Sequence, residues 1–287
     1  MSKVSSEMPR RALIVYARGD LVINAYFAAR LRKSVAETGL SPFVVTSQSL
    51  LATSQNQLKE LKELSAIVIF RSRNVSLSKG LEEIGFKVVN RSSLLEVATD
   101  KLKTFEFCHN HGIPTVQTVP LDASIVAELL STQPVVIKDR FGHGGSSVSL
   151  LKNENDAYAY LSNASAADFV VQPFIDDVLY EWRAYVIGIN VAYWVRKTPR
   201  TGEFRANLSQ GAKITVATPP NAVSVVVNKA VSHLGEGVYG IDVLDTTQGA
   251  LLGEIEDPVG YRSLYQLHCL DPTKPLANYY LSVSNRN

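Results

Sequence analysis

The sequence is poor in cysteine, methionine and tryptophan, with two of each in 287 residues. Cys108 and Cys269 stand far apart and no CxxC spacing occurs. That excludes a disulfide framework and a cysteine-rich zinc site, and predicts a reducing compartment. No apolar run approaches the ~20 residues that a membrane helix needs. Residues 1–11 carry no apolar stretch of the kind that drives secretion. An excess of one charge sign is missing too. Lys plus Arg number 29 against 27 Asp plus Glu, a net charge of +2, whereas a dedicated nucleic-acid binder is strongly basic. The expectation is a cytoplasmic protein with no membrane or nucleic-acid partner. With 17 Gly, 12 Pro and 46% apolar residues, neither disorder nor a collagen-like repeat is supported. At roughly 100–200 residues per domain, the length fits two compact units or one larger composite unit.

What is present begins as alternating strands and helices. Ala12–Tyr16, Pro42–Thr46, Ala66–Phe70 and Phe86–Asn90 are short apolar runs of the kind buried in parallel sheets. Helices are predicted over 21–37, with Asp20 as N-cap, and over 56–64 and 76–84. This order predicts a small open parallel sheet, an α/β arrangement. Ligands on such sheets meet the carboxyl ends of strands. Arg18, Arg71 and Arg73 follow strand ends, as solvated turn residues or as residues facing a ligand. From residue 93 the pattern changes. One helix is predicted to about His111, then a strand at 115–119, a helix at 123–131 and a strand at 134–138. A glycine-rich loop follows, then strands at 148–150 and 169–172 separated by a helix near 154–162. Because the glycines lie between two strands, this is not a Rossmann unit. The last third is strand-rich (182–189, 190–196, 212–217, 238–244, 250–256), with one helix at 220–234, so the C-terminal part reads as α+β.

Four features carry candidate chemistry. The loop Gly142-His143-Gly144-Gly145-Ser146-Ser147 offers backbone N–H groups to a phosphate, although a glycine-rich turn between strands is usually just a hairpin, and it is not a Walker A loop. Lys101 at a helix start and Lys138 before the glycines supply positive charge; either alone is a surface lysine. Asp242, Glu254 and Glu256 sit in two apolar strands joined by a turn. The period of two puts Glu254 and Glu256 on one face, where Mg²⁺ relieves carboxylate repulsion unless the face is simply solvated. Arg196, Lys197 and Arg200 lead into Gly202-Glu203-Phe204-Arg205-Ala206-Asn207, a cationic segment between strands.

Taken in order with Asp100-Lys101, Gly112-Ile113-Pro114, Gln172-Pro173-Phe174-Ile175 and Glu181-Trp182-Arg183, these features resemble the ATP-grasp superfamily, and within it the RimK-like carboxylate–amine ligases. The resemblance covers roughly residues 90–260. It implies a small α/β domain at 1–92, a central subdomain with the phosphate loop at 93–173 and a C-terminal subdomain with the metal site at 174–287. It further implies that Lys101, Lys138, Gly142, Gly144, Gly145 and Ser146 contact the ATP phosphates and that Gln172, Pro173, Phe174 and Ile175 underlie adenine. Glu181 would bind the ribose hydroxyls and Arg205 would face the γ-phosphate, with Lys138 and Arg205 the catalytic pair. Asp242, Glu254 and Glu256 would hold two Mg²⁺ ions, or Mn²⁺ in their place. Two positions depart from the family pattern: Glu256 stands where Asn is usual, and Ser147 where a third glycine is.

The implied reaction is ATP-dependent. A substrate carboxylate attacks the γ-phosphorus, an amine displaces phosphate from the acyl phosphate, and an amide, ADP and phosphate result. Arg71, Arg73, Arg183 and Arg262, with Tyr261 and Tyr265 nearby in sequence, suggest an anionic substrate such as an amino acid or small peptide. Intramolecular ring closure, plain kinase chemistry and a non-catalytic ATP-binding protein remain open at this point, as does a homo-oligomer.

Overall fold

The computed structural model describes residues 10–143, 148–153, 155–157, 168–198, 213–267 and 270–286. The chain divides into two compact units, Met1–Leu95 with His268–Asn287, and Glu96–Leu267.

The first unit is a four-stranded parallel sheet in the order β2-β1-β3-β4, built from β1 (Arg11–Tyr16), β2 (Ser41–Thr46), β3 (Ser65–Arg71) and β4 (Val88–Val89). Strands β1 and β3 are buried on both faces, so their sequences lack polar alternation. Leu13, Val15, Val68 and Phe70 pack with Leu50, Leu58, Leu77 and Leu81 from the connecting helices. Each such side chain contributes about 1.5–3 kcal/mol on burial. The predicted helix over 21–37 is two helices, α1 (Arg18–Ile23) and α2 (Ala25–Glu37), meeting at Asn24. Asp20 therefore lies in the first turn of α1, and the N-cap is Ala17, with no side-chain cap. Helices α3 (Ser47–Leu51), α4 (Gln55–Leu64) and α5 (Val75–Ile84) complete the crossovers. Ser54 and Gln57 close a capping box on α4, which fixes its start.

The second unit begins with two helices where one was expected. The first, α6 (Ser92–Thr99), straddles the division between the units. The second, α7 (Lys101–Asn110), starts afresh with Asp100 as its N-cap. A four-stranded antiparallel sheet follows in the order β5-β8-β6-β7, from β5 (Val119–Pro120), β6 (Val135–Asp139), β7 (Val148–Leu151) and β8 (Phe169–Pro173). Helix α8 (Ala123–Leu130) packs on it through Val126. The predicted strand at 115–119 is mostly open chain, with Thr115 bridging to Leu252. The helix expected near 154–162 falls largely outside the described residues.

The other sheet has five antiparallel strands in the order β11-β10-β9-β12-β13. These are β9 (Val178–Gly188), β10 (Asn190–Thr198), β11 (Lys213–Val216), β12 (Gly237–Thr246) and β13 (Gly249–Glu256). Helix α9 (Asn221–Leu234) buries Val223, Val226, Val227 and Ala230, and α10 (Arg262–Gln266) ends this unit. Helix α11 (Thr273–Ser284) packs on α2 of the first unit. Among the described residues, no helix is long and apolar enough to cross a membrane. The fold is mixed: a parallel α/β sheet in the first unit and antiparallel sheets with helices in the second.

Candidate functional site

One face of the five-stranded sheet in the second unit collects a cluster of charged residues. In the β12–β13 hairpin Asp242 pairs with Glu254 and Gly240 with Glu256. The register then slips, so that Val243 pairs with Leu252 and Gly253 is left over. This bulge reverses the side-chain alternation within β13. Leu252 is thereby buried in the core, while Glu254 and Glu256 share the opposite face with Asp242. A carboxylate oxygen from each of the three acids lies within 4.8 Å of the other two.

Two neighbouring strands supply cations to the same face. On β9, Arg183 stands opposite Asp242. Its Nε and Nη2 donate to the two carboxylate oxygens of Asp242 at 2.6 and 2.5 Å, and Nη2 also donates to Glu256. On β10, Lys197 pairs with Glu181 of β9 and donates to it, and donates to Asp242 Oδ2 at 2.9 Å. Burial acts to raise the Asp242 carboxyl, but Arg183 and Lys197 hold it far below the usual range. Burial wins at Glu181 and Glu256, whose carboxyls are pushed up.

Lys101, the first residue of α7, lies 3.6 Å from Glu254 and donates to the Gly142 carbonyl at 2.5 Å. Lys138 leaves β6 in the field of the same acids. Burial pushes its ammonium down, neighbouring Lys101 adds to that, and Glu254, Glu181 and Asp242 oppose it. Four carboxylates thus face four cations, a balance suited to admitting a polyanion together with divalent cations. Hard oxygen donors at this spacing fit Mg²⁺, which prefers carboxylate oxygens, water and phosphate.

The structure therefore brings together Lys101, Lys138, Glu181, Asp242, Glu254 and Glu256, and adds Arg183 to them. Arg183 was expected to face substrate, yet its donors are turned onto Asp242 and Glu256. Gln172, the penultimate residue of β8, donates through its amide to the Thr118 hydroxyl at 2.8 Å. A recess nearby is lined by Lys101, Phe105, Thr118, Gln172 and Glu254. Pro173 closes β8, and the Phe174 N–H donates to the Pro134 carbonyl at 2.9 Å ahead of Ile175. Gly144, Gly145, Ser146 and Arg205 lie outside the described residues.

Arg262 begins α10. Arg71 and Arg73 belong to the first unit. Arg71 is the last residue of β3, not a turn residue. It is 4% exposed, with its guanidinium over the rings of Tyr16 and Phe27, 5.6 and 4.8 Å from their centroids. Arg73 sits 3.5 Å from Asp20.

In the sequence Lys197 is only part of a basic segment, and nothing marks Arg140. The hairpin turn at Ile189 held a usable cue for Lys197, because strands folding about it put residues 181 and 197 opposite one another. Arg140 binds Asp100, forty positions earlier, and no local pattern announces such a pair.

Comparison with known proteins bears on the family and the fold. The sequence model of the RimK-like ATP-grasp domain matches residues 98–278. An uncharacterised protein of Mycoplasma genitalium is 29% identical over 260 residues, 90% of this chain and 88% of that one. A probable alpha-L-glutamate ligase of Legionella pneumophila is 28% identical over 192 residues, 64% of this chain and 63% of its own. Among solved structures, a RimK-domain ATP-grasp protein of Sphaerobacter thermophilus superposes with a TM-score of 0.71 at 19% identity, over 94% of this chain and 99% of that one. That last likeness concerns the fold.

Proposed function

Because the chain belongs to the RimK-like ATP-grasp family, whose members are ATP-dependent ligases using ATP and Mg²⁺, we propose that it joins a carboxylate to an amine through an acyl phosphate, with an amino acid or small peptide as substrate. The observation that carries this reading is the face on which Asp242, Glu254 and Glu256 converge within 4.8 Å beside Lys101 and Lys138.

In this proposal the three acids would hold Mg²⁺, which when bound neutralises the triphosphate and stabilises charge developing during phosphoryl transfer. Lys101 and Lys138 contact the phosphates as point charges, and Lys138, with its ammonium pushed down by burial, sits in a site that favours an anionic neighbour. Glu181 binds the ribose hydroxyls, and Gln172 to Ile175 underlie the adenine. Arg205 completes the γ-phosphate contacts. Arg183 serves as counter-ion to Asp242 and Glu256, which suits a site carrying one acid more than the family's usual Asn. At least one of Arg71 and Arg73, at the carboxyl edge of the parallel sheet, binds an anionic group of the substrate, and Arg262 of the second unit is a substrate residue in its own right. The parts 1–92, 93–173 and 174–287 correspond in this scheme to a leading α/β domain and the two halves of the grasp.

The test is ADP release from ATP and Mg²⁺ against paired amino acids and short peptides, with mass spectrometry of the products. A ligase gives an amide and ADP, with a rate that rises with Mg²⁺ and is lost in Glu254→Gln. A phosphorylated end product would make the protein a kinase, and a rate indifferent to Mg²⁺ or a fully active Glu254→Gln enzyme would overturn the metal assignment.

A further inference from the structure

The segment leaving β6 is fastened to the first turn of α7 at three points. Arg140 donates through Nε and Nη2 to the two oxygens of Asp100, at 2.8 and 2.6 Å. The Lys101 backbone N–H donates to the Arg140 carbonyl at 3.1 Å. The Lys101 ammonium donates to the Gly142 carbonyl at 2.5 Å. The first N–H groups of a helix have no partner inside it. Here Asp100 takes the one of Leu102 at 3.0 Å, and the loop itself takes the one of Lys101. Asp100 is 4% exposed, so a charge at this position has to be answered by protein groups.

The far side of the segment is fixed as well. The Arg140 N–H donates to the Asp168 carbonyl at 2.8 Å and the Phe141 N–H to Asp139 Oδ1 at 2.8 Å. Gly142 folds so closely over Asp139 that a Cβ there would meet the Asp139 side chain at 2.7 Å. The Nε/Nη2 edge of Arg140 is taken up by Asp100, and its guanidinium lies 5.1 Å from the centroid of the Phe141 ring.

We infer that Arg140, acting through Asp100, is a positioning residue for Lys101. It locks the root of the loop after β6 to the start of α7, so that the Lys101 ammonium is held at one place between the Gly142 carbonyl and Glu254. A lysine on a four-carbon stem otherwise samples many rotamers, and holding the Gly142 carbonyl beside it gives the ammonium a fixed acceptor before a ligand arrives. The inference rests on the reading of Lys101 as a phosphate contact.

The experiment is a double-mutant cycle read by titration calorimetry with ATP and Mg²⁺, using wild type, Arg140→Gln, Lys101→Ala and the double variant. Arg140→Gln keeps Asp100 as N-cap and removes only the tie. The expected result is about a five- to tenfold weaker ATP affinity in Arg140→Gln, a larger loss in Lys101→Ala, and no further loss in the double variant, because Arg140 works only through Lys101. Arg140→Lys restores part of the affinity, and it replaces Arg140→Gln in the cycle should circular dichroism show that variant unfolded. Losses that multiply in the double variant, or an Arg140→Gln protein that binds ATP like wild type, overturn the positioning role while leaving the ligase reading standing. A folded wild type that binds no ATP overturns the ligase reading, and the positioning role with it.

Discussion

Asp242 has most of its acceptor capacity engaged. Both lone-pair directions of Oδ2 are taken, by Arg183 and Lys197, and one of Oδ1 by Arg183. A carboxylate so held stays ionised, but a metal approaching it meets two fixed cations. The partition of Lys197 between Asp242 and Glu181 makes it the keystone of the charged face, since it is the only contact between those two acids among the described residues. Replacing Lys197 with Met leaves buried Asp242 and half-buried Glu181 short of a partner, a change that costs about 3–5 kcal/mol, and the urea midpoint should fall accordingly. Lys197→Arg keeps the charge and should lose much less, and an unshifted midpoint in Lys197→Met would show that water serves these acids equally well. Burial and Arg183 push the Lys197 ammonium down, Asp242 and Glu181 push it up, and the result is a rise from 10.5 to about 12. A raised ammonium contributes its stability in full below 10.5 and loses it as pH climbs through about 12. The difference between wild type and Lys197→Met should therefore be flat from pH 6 to 9. At this scale the acids were legible and their counter-ions were not. Asp, Glu and Glu in apolar strands violate a pattern, whereas Arg183 and Lys197 look like ordinary polar positions until the register is known.

At the scale of elements, two devices shape the site: a one-residue bulge and a helix break. The bulge at Gly253 decouples the core duty of Leu252 from the site duty of Glu254, which strict alternation would place on the same face. The break at Asp100 turns one expected helix, 93–111, into α6 and α7 and presents Lys101 in a first turn. No Gly or Pro marks it. The competing partner is Arg140, and Asp outside a helix interior gains from capping. The same ambiguity displaced the start of α1, because an acid in the first turn favours the helix dipole nearly as well as one at the cap. Asp100 gives a pH test. Burial raises its carboxyl, but Arg140 and the amides of Leu102 and Lys103 bring it below 3.8. Such a group stabilises the fold above the unfolded value of 3.8 and ceases to as pH falls through the lower folded value. Asp100→Asn retains a cap but exchanges charge-assisted for neutral hydrogen bonds, a loss of about 1–2 kcal/mol. Its melting temperature should lie below wild type at pH 7, with the gap closing on acidification below pH 4. A gap that persists unchanged at pH 2.5 would mean that the charge of Asp100 does not matter.

For the whole molecule, the parallel sheet was readable because buried strands of Ile, Val and Leu leave few alternatives. Helix α11 was not expected from the sequence, where an amphipathic stretch declares an apolar face without naming what covers it. It covers α2: Leu276, Ala277 and Tyr280 are buried, and Thr273 shares a hydrogen bond of 2.8 Å with Ser34. Tyr280 is 1% exposed, so Tyr280→Ala should destabilise the first unit by about 3–5 kcal/mol. Hydrogen exchange would report this as faster exchange of the β1 and β3 amides, and unchanged protection there would mean that α11 is dispensable to the sheet. The return of α11 also sets a timetable on the ribosome. Residues 11–95 emerge first, yet the helix that seals α2 arrives only after all of the second unit. At about 5–20 residues per second the nascent parallel sheet would wait roughly 10–35 s with α2 uncovered. The unit made first is finished last, and its bare apolar face is the surface a chaperone would meet during synthesis.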